Sequence, residues 1–463
     1  MSDVTTIVNP ATEAPIAEIP ELGAEEADAA VARSVDAGAA WRAVAPADRA
    51  RLLRRFAAQV EEHGEELAQL ETSNVGKPIA ESRDEAAMVA EVLYYYAGAV
   101  DKHRGATVPV AGGVDMTFHE PLGVVAAIVP WNFPMAITSW KVGPALATGN
   151  TIVVKPAEIT PLTALRLAGL ALDAGIPEGV LQVVAGKGST IGTRLVEHPD
   201  VAKVAFTGST EVGREVMARA SGTIKRVTLE LGGKSASVVF ADADLERAAA
   251  ATPGGVFANA GQDCCARSRV LVQRSVFDRY VSLLAEAVGA WTVGDPTDPA
   301  TKMGPLVTAA HRQVVQSFLA PGMGEPDAGS VAAHTVGSVP EGPGFWFPPT
   351  VIAPAGAGWR MAREEIFGPV VAVIPFEDEA DAIRLANDTP YGLSGSIWTR
   401  DGARALRMAR AVQAGNLSVN SNSSVRVQTS FGGMKQSGFG RELGLEALAS
   451  YSDVKNVFVS TQG

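Results

Sequence analysis

"NTIVVKPAEITPLTALRLAGLALDAG", residues 150–175, carries the pattern that decides the fold. Its first part, "TIVVK", is apolar without alternation, while "PLTALRLAGLALDAG" spaces its leucines and alanines three and four apart. An unbroken apolar run suits a strand covered on both faces, as in a parallel sheet, and the second spacing suits a helix with one buried face. Thr160 is the expected N-cap, Pro161 the first helical residue and Gly175 the stop beyond the end. The stretch reads as one strand–helix unit.

Between 122 and 240 the unit recurs. Further apolar runs are "GVVAAIVP" (123–130), "VLQVVAG" (180–186), "KVAFTG" (203–208), "RVTLELGG" (226–233) and "SASVVF" (235–240). After the third, "STEVGREVMARA" places Val212, Val216 and Ala220 on one helical stripe. Strand, helix and strand in repetition predict an α/β fold with a doubly wound, nucleotide-binding sheet. Upstream, residues 24–103 have helical periodicity, and "TVPVAGGVDMTFHEPLGVV" (107–125) alternates about a Gly-Gly pair like a β-hairpin. A second α/β region is expected from about 241 to 436, with strands in "RVLVQ", "PVVAVIPF", "LSGSIW" and "GNLSVN". Residues 320–349, rich in Gly, Pro and Ser, read as a surface loop or lid. The tail "SDVKNVFVS" (452–460) reads as a lone strand that must pair, within the chain or on another subunit.

Composition narrows the function classes. Thirty-nine basic residues against 51 acidic ones leave a net charge of -12, which disfavours nucleic acid and anionic membranes as partners. No apolar run approaches the ~20 residues needed to span a bilayer. The N-terminal stretch lacks the basic and apolar regions of a signal peptide, so a cytoplasmic protein is expected. Six scattered histidines form no zinc-type cluster, and no metal is expected.

Both cysteines lie in "NAGQDCCARSRV", residues 259–270. A free cysteine is commonly a small buried hydrophobe. Here the flanking Gly, Gln, Asp, Arg and Ser are no core setting, and a cysteine facing backbone N–H groups can become a reactive thiolate. Locally, Cys264 fits either role, and Asp263 in front of it opposes ionisation. Glu230 ends an apolar strand, either turned to solvent or serving as a general base at the carboxyl edge of a parallel sheet. Asn132, in "IVPWNFP", either holds a turn or donates to a developing oxyanion. "FTGSTEVG" follows a strand and opens a helix, offering N–H groups to an anion, but it lacks both GxGxxG and GK[ST]. "VVKPAE" ends another strand with an acid placed to hold ribose hydroxyls.

Together these stretches resemble the aldehyde dehydrogenase superfamily from "NPAT" at 9 to "KNVFV" at 455. "PWNFP", "KPAE", "FTGST", "LELGGK", "GQDCCARSR", "EEIFGP" and "FGGMKQSGFGREL" occur in the family's order and approximate spacing. The resemblance implies a Rossmann-type NAD-binding domain at 1–103 and 122–231 and a catalytic domain at 232–446. It also implies a small β oligomerisation arm at 104–121 and 447–463, hence a homodimer or homotetramer. Cys264 is the implied nucleophile, Glu230 the general base and Asn132 the oxyanion donor, with Lys141 in a proton relay behind the base. The implied cofactor contacts are Ile128, Trp131, Lys155, Glu158, Gly188, Gly208, Ser209, Val212 and Leu231, with Glu365 and Phe367 at the nicotinamide end.

The implied reaction oxidises a small-molecule aldehyde to its acid through a thiohemiacetal and a thioester on Cys264. Glu230 favours hydrolytic over CoA-acylating members, and Glu158 favours NAD over NADP. A cysteine esterase would not need the nucleotide motifs, and a non-catalytic binding protein would not need Cys264, Glu230 and Asn132 together. Family members usually carry a few dozen residues before "NPAT", so the outer edge of the cofactor domain is expected to differ. Ser423, Ser424, Val425 and Arg426 stand where many members carry bulkier residues at the tunnel mouth. Phe133, Trp140, Val425, Arg426 and Asp263 are the implied substrate contacts. Asp263 favours an ω-aminoaldehyde such as 4-aminobutanal, and Arg426 favours a carboxylated semialdehyde.

Overall fold

A computed structural model describes residues 4–319, 332–335, 339–423 and 425–462. Half of the predicted loop or lid at 320–349 (320–331 and 336–338), and Ser424, fall outside them. Three sheets organise the chain besides a hairpin of Val4–Val8 with Pro15–Pro20. The first runs, edge to edge, Gly438–Phe439, Arg226–Glu230, Val201–Thr207, Val124–Ile128, Thr151–Lys155, Leu181–Val183. Its last five strands are parallel. The chain starts at the central Val124–Ile128 strand, steps outward on one side, then crosses over to build the other. That reversal opens a crevice at the carboxyl ends of the strands, where Ile128, Lys155, Thr207 and Glu230 are the terminal residues. The continuous apolar runs predicted to be covered on both faces are buried strands here.

The predicted helix forms over Leu162–Asp173, and Gly175 beyond it is left-handed at φ 87°. Thr160 is not its cap. The Leu162 N–H donates instead to the Asn74 side-chain carbonyl at 3.3 Å, and the same amide donates to the Ile159 carbonyl at 2.8 Å. Asn74 comes from the neighbouring helix Gly64–Val75, a tertiary substitute that local sequence does not display.

Among the described residues the second sheet has seven strands, with Ala236–Val239 between Arg269–Gln273 and Ser394–Trp398. The run "SASVVF", grouped by sequence with the first α/β region, therefore belongs to the second. The strands expected around "RVLVQ", "PVVAVIPF", "LSGSIW" and "GNLSVN" are all present. In the third sheet Ser452–Ser460 pairs with Gly113–Pro121, which pairs with Thr107–Val110. The terminal strand thus finds its partner within the chain. It leaves Val454, Phe458 and Phe118 exposed. Among the described residues no helix is long and apolar enough to cross a membrane.

The first two sheets are joined at one buried serine. Leu231 donates its N–H to the Ser437 carbonyl at 2.9 Å, and the Ser437 hydroxyl donates to the Gly232 carbonyl at 2.6 Å. That hydroxyl also accepts the Gly392 N–H at 2.9 Å.

Candidate active site

A sharp turn after the helix Leu245–Val256 aims the cysteine segment. Asn259, Ala260 and Gly261 are consecutive left-handed residues at φ 47°, 56° and 71°. At Gly261 a Cβ would run into the Gly368 carbonyl, so this position needs glycine. The Asn259 amide donates to the Asn132 carbonyl at 2.9 Å, and Gln262 accepts the Val307 N–H at 2.9 Å. These bonds fix the approach to the cysteines. Asp263 then accepts the Cys265 N–H at 2.8 Å, closing a tight loop. The side-chain ligand atoms of Asp263, Cys264 and Cys265 lie within 4.8 Å of one another. Cys265 is buried against core, whereas Cys264 is partly accessible. A hydrogen bond with Cys265, burial and the nearby Asp263 charge hold the Cys264 thiol well above its usual range.

The Asn132 amide donates to the Gln262 carbonyl at 2.9 Å. Its second N–H has no partner among the described residues.

Glu230 closes its strand facing this loop. It is 4% exposed, and neither carboxylate oxygen has a hydrogen-bond partner among the described residues. Burial first, and the Glu442 charge second, push its pKa well above the ordinary value, while Lys141 and Arg441 pull it down. Lys141 is completely buried, donates to the Thr207 hydroxyl at 2.8 Å and forms an ion pair with Glu442. Glu442 was not singled out from sequence, although it lies inside "FGGMKQSGFGREL".

A cavity of about 250 Å³ lies between Cys264 and Glu230. Phe133, Trp140, Ile137, Phe431 and Val425 give it an apolar wall, and Trp140 meets Phe431 edge to face at 5.1 Å. Asp263, Arg267 and Glu85 add charge. Arg426 is not in the wall: it is exposed and donates to the Ser423 hydroxyl at 2.6 Å. The expected Arg426 contact gives way to Arg267, which sequence reasoning passed over.

At the crevice of the first sheet, Glu158 accepts the Gly188 N–H at 2.6 Å, and the Lys155 ammonium stands 3.9 Å from the same carboxylate. Ser209 caps the helix Thr210–Ala220 by accepting the Val212 N–H at 3.3 Å, and the Val212 side chain is exposed there. Gly208 is tight, since a Cβ would lie 2.6 Å from the Phe206 ring. Leu231 is buried, with Gly213 tight against it. Trp131 meets Phe367 edge to face at 5.2 Å and 86°. His311 hydrogen-bonds the Phe367 carbonyl at 2.7 Å, pinning that left-handed residue at φ 57°. Glu365 accepts the Gly233 N–H at 2.8 Å, and burial raises its pKa to about 7. A strand-end acid, a capped helix N-terminus and close-approach glycines fit a dinucleotide.

Residues 2–457 match the model of the aldehyde dehydrogenase family. The chain belongs to the aldehyde dehydrogenase family. The dehydrogenase is 43% identical to the NADP/NAD-dependent aldehyde dehydrogenase PuuC of Escherichia coli (strain K12), over 98% of this chain and 92% of that one. It is 39% identical to a betaine aldehyde dehydrogenase of Bacillus subtilis (strain 168), over 99% and 94%. Among solved structures, PnpE in complex with nicotinamide adenine dinucleotide superposes with a TM-score of 0.96 at 41% identity, covering 100% of this chain and 95% of that one. The aldehyde dehydrogenase KauB from Pseudomonas aeruginosa gives 0.96 at 41%, covering 99% and 93%.

Proposed function

We propose that the dehydrogenase oxidises an aldehyde to its carboxylic acid with NAD as cofactor, Cys264 as nucleophile and Glu230 as general base. One observation carries the reading: an accessible cysteine and an unpartnered buried carboxylate face a single cavity beside a dinucleotide-type crevice. Cys264 releases its proton to solvent and its sulfur adds to the aldehyde carbon, turning the carbonyl oxygen into an oxyanion. The second N–H of Asn132, with the Cys264 backbone N–H, receives that charge. A bound NAD would supply the hydride acceptor, and loss of hydride from the tetrahedral carbon leaves a thioester on Cys264. Glu230 then accepts a proton from a water molecule, whose oxygen displaces the sulfur and frees the acid. Lys141 and Glu442 hold a compensating ion pair behind Glu230, through which Lys141 tempers the base. Glu365 and Phe367 bound the nicotinamide end, with Trp131 against the Phe367 ring. Ile128, Lys155, Gly188, Gly208, Ser209, Val212 and Leu231 line the crevice toward the adenosine. Glu158 hydrogen-bonds ribose hydroxyls and repels a 2′-phosphate, favouring NAD over NADP.

The substrate reading is an ω-aminoaldehyde, its chain lying along Phe133 and Trp140 and its ammonium drawn to Asp263. A carboxylated semialdehyde is the second reading, favoured by the Arg267 guanidinium in the same wall. Amino, carboxy, aromatic and aliphatic aldehydes assayed with NAD and NADP in parallel test both. A clear kcat/KM preference for the amino member is expected, and a preference for the carboxy member would overturn that choice. A Cys264→Ser variant as active as the wild type would overturn the mechanism.

The sheet joining 107–121 to 452–460 is proposed as the oligomerisation arm, because Val454, Phe458 and Phe118 offer apolar area to a second copy. Residues 1–103 with 122–231, and 232–446, are proposed as cofactor and catalytic domains. The two free cysteines support a cytoplasmic setting.

A further inference from the structure

Arg267 is an unusual occupant of a substrate cavity. It is 2% exposed, yet it forms part of the wall beside Cys264. Its guanidinium makes three directional bonds: Nε donates to the Ser396 hydroxyl at 2.9 Å, Nη2 to the Asn422 carbonyl at 3.1 Å, and Nη1 to the Cys265 carbonyl. The partners sit on three different segments, so the side chain ties the cysteine turn to the Ser394–Trp398 strand and to the rim at Asn422. A lysine would supply one ammonium in place of this planar fork.

Charge points the same way. The charges acting on Cys264 are acidic, Asp263 on its own loop and Glu365 across the cofactor side, and Glu230 from the first sheet and Glu85 from the helix Ile79–Ala99 line the same cavity. Lys77 is paired with Glu71 and Glu85, and Lys141 with Glu442. Arg267 has no carboxylate in an ion pair among the described residues, and its charge acts on Asp263, Cys264 and Cys265 together.

We propose that Arg267 is a positioning residue for the nucleophile: it fixes the Cys264–Cys265 turn by three hydrogen bonds and sets a positive charge against Asp263, so that a thiolate can form beside an acid. The inference rests on the reading of Cys264 as nucleophile, and it assigns a task to a residue outside that reading's machinery. It also accounts for Asp263 and Arg267 facing one cavity: the acid closes the turn, and the guanidinium offsets its charge.

The test is alkylation of the full-length enzyme by iodoacetamide in the absence of aldehyde. Modification of Cys264 is followed by peptide mass from pH 6 to 12, with Cys264→Ser as the blank. In Arg267→Met the midpoint should rise by about one pH unit, slowing alkylation near neutrality about tenfold. Arg267→Gln, which keeps a hydrogen-bonding amide without charge, should show the same rise and carries the test should the Met variant fail to fold. Combining either with Asp263→Asn should return the midpoint toward wild type. A merely structural role would lower kcat and leave the midpoint in place, overturning the proposal. So would a double variant that stays at the single-variant value. Activity of Cys264→Ser would instead strike the nucleophile reading, whatever the alkylation midpoints.

Discussion

The Cys265 N–H donates to the Asp263 carboxylate at 2.8 Å, so the acid ahead of Cys264 closes its loop as well as facing the cavity. The two roles separate by substitution. Asp263→Asn keeps the acceptor and should retain thermal stability, whereas Asp263→Ala should lose about 1–3 kcal/mol. Both should lower the kcat/KM ratio of 4-aminobutanal to hexanal, by about tenfold if an ammonium contact worth roughly 1.4 kcal/mol is lost. A ratio unchanged in Asp263→Ala would rule out the ammonium contact.

Glu230→Gln removes the proposed base and leaves Cys264, the proposed nucleophile, in place. Turnover should fall about 10²–10⁴-fold. Hydride release precedes the water step, so rapid mixing should still give a burst of NADH close to one equivalent of enzyme. Loss of the burst together with turnover would place Glu230 before the thioester.

The raised pKa of Glu230 has an opposite sign for activity and for stability. Only the ionised carboxylate can take a proton, so kcat should climb with pH through that raised value. Lys141→Met removes a neighbour that lowers it, and should move the climb to higher pH. Stability runs the other way. The folded state binds the Glu230 proton more tightly than the unfolded chain, whose carboxyl titrates near 4.5. The contribution is therefore full below about 4.5 and is lost as pH rises through the folded value. Thermal scans of Glu230→Gln should show a gain over wild type that grows toward alkaline pH.

Glu158 holds the Gly188 N–H and stands at the end of its strand. Replacing it with Gln keeps the hydrogen-bonding reach and removes the charge. The kcat/KM ratio of NADP to NAD should rise by about tenfold, equivalent to roughly 1.4 kcal/mol of lost repulsion. A ratio that does not move would mean that the 2′-phosphate lies elsewhere.

The first sheet was legible because its strands are buried on both faces, which writes unbroken apolar runs into the sequence. Cys264 and Glu230 were legible as polar residues in settings that do not suit them. Asn74 capping a helix from another element left no local mark. Neither did Arg267, because a guanidinium among Ser and Arg looks solvated until Ser396 and Asn422 are brought to it. His311 was equally silent: a single histidine shows nothing of the Phe367 carbonyl it holds. Arg426 misled for the reverse reason, since a cation at the expected mouth satisfies itself on Ser423. "SASVVF" has the same composition as its upstream neighbours, and only pairing with Arg269–Gln273 reveals its sheet.

Ser437 sets a condition on how the molecule can come together. The backbone just beyond Glu230 is hydrogen-bonded to a residue some two hundred positions downstream, and that residue's hydroxyl also accepts the Gly392 N–H. Such distant closures are slow to form, because the intervening loop entropy must be overcome first. A fragment ending near Gly232 would keep the crevice strands but lose the pairing of Gly438–Phe439 with Arg226–Glu230, leaving one side of that strand an open ladder prone to association. Glu230 is therefore seated by the half of the chain that also carries Cys264, and the two side chains that face the cavity come together only when both halves are in place.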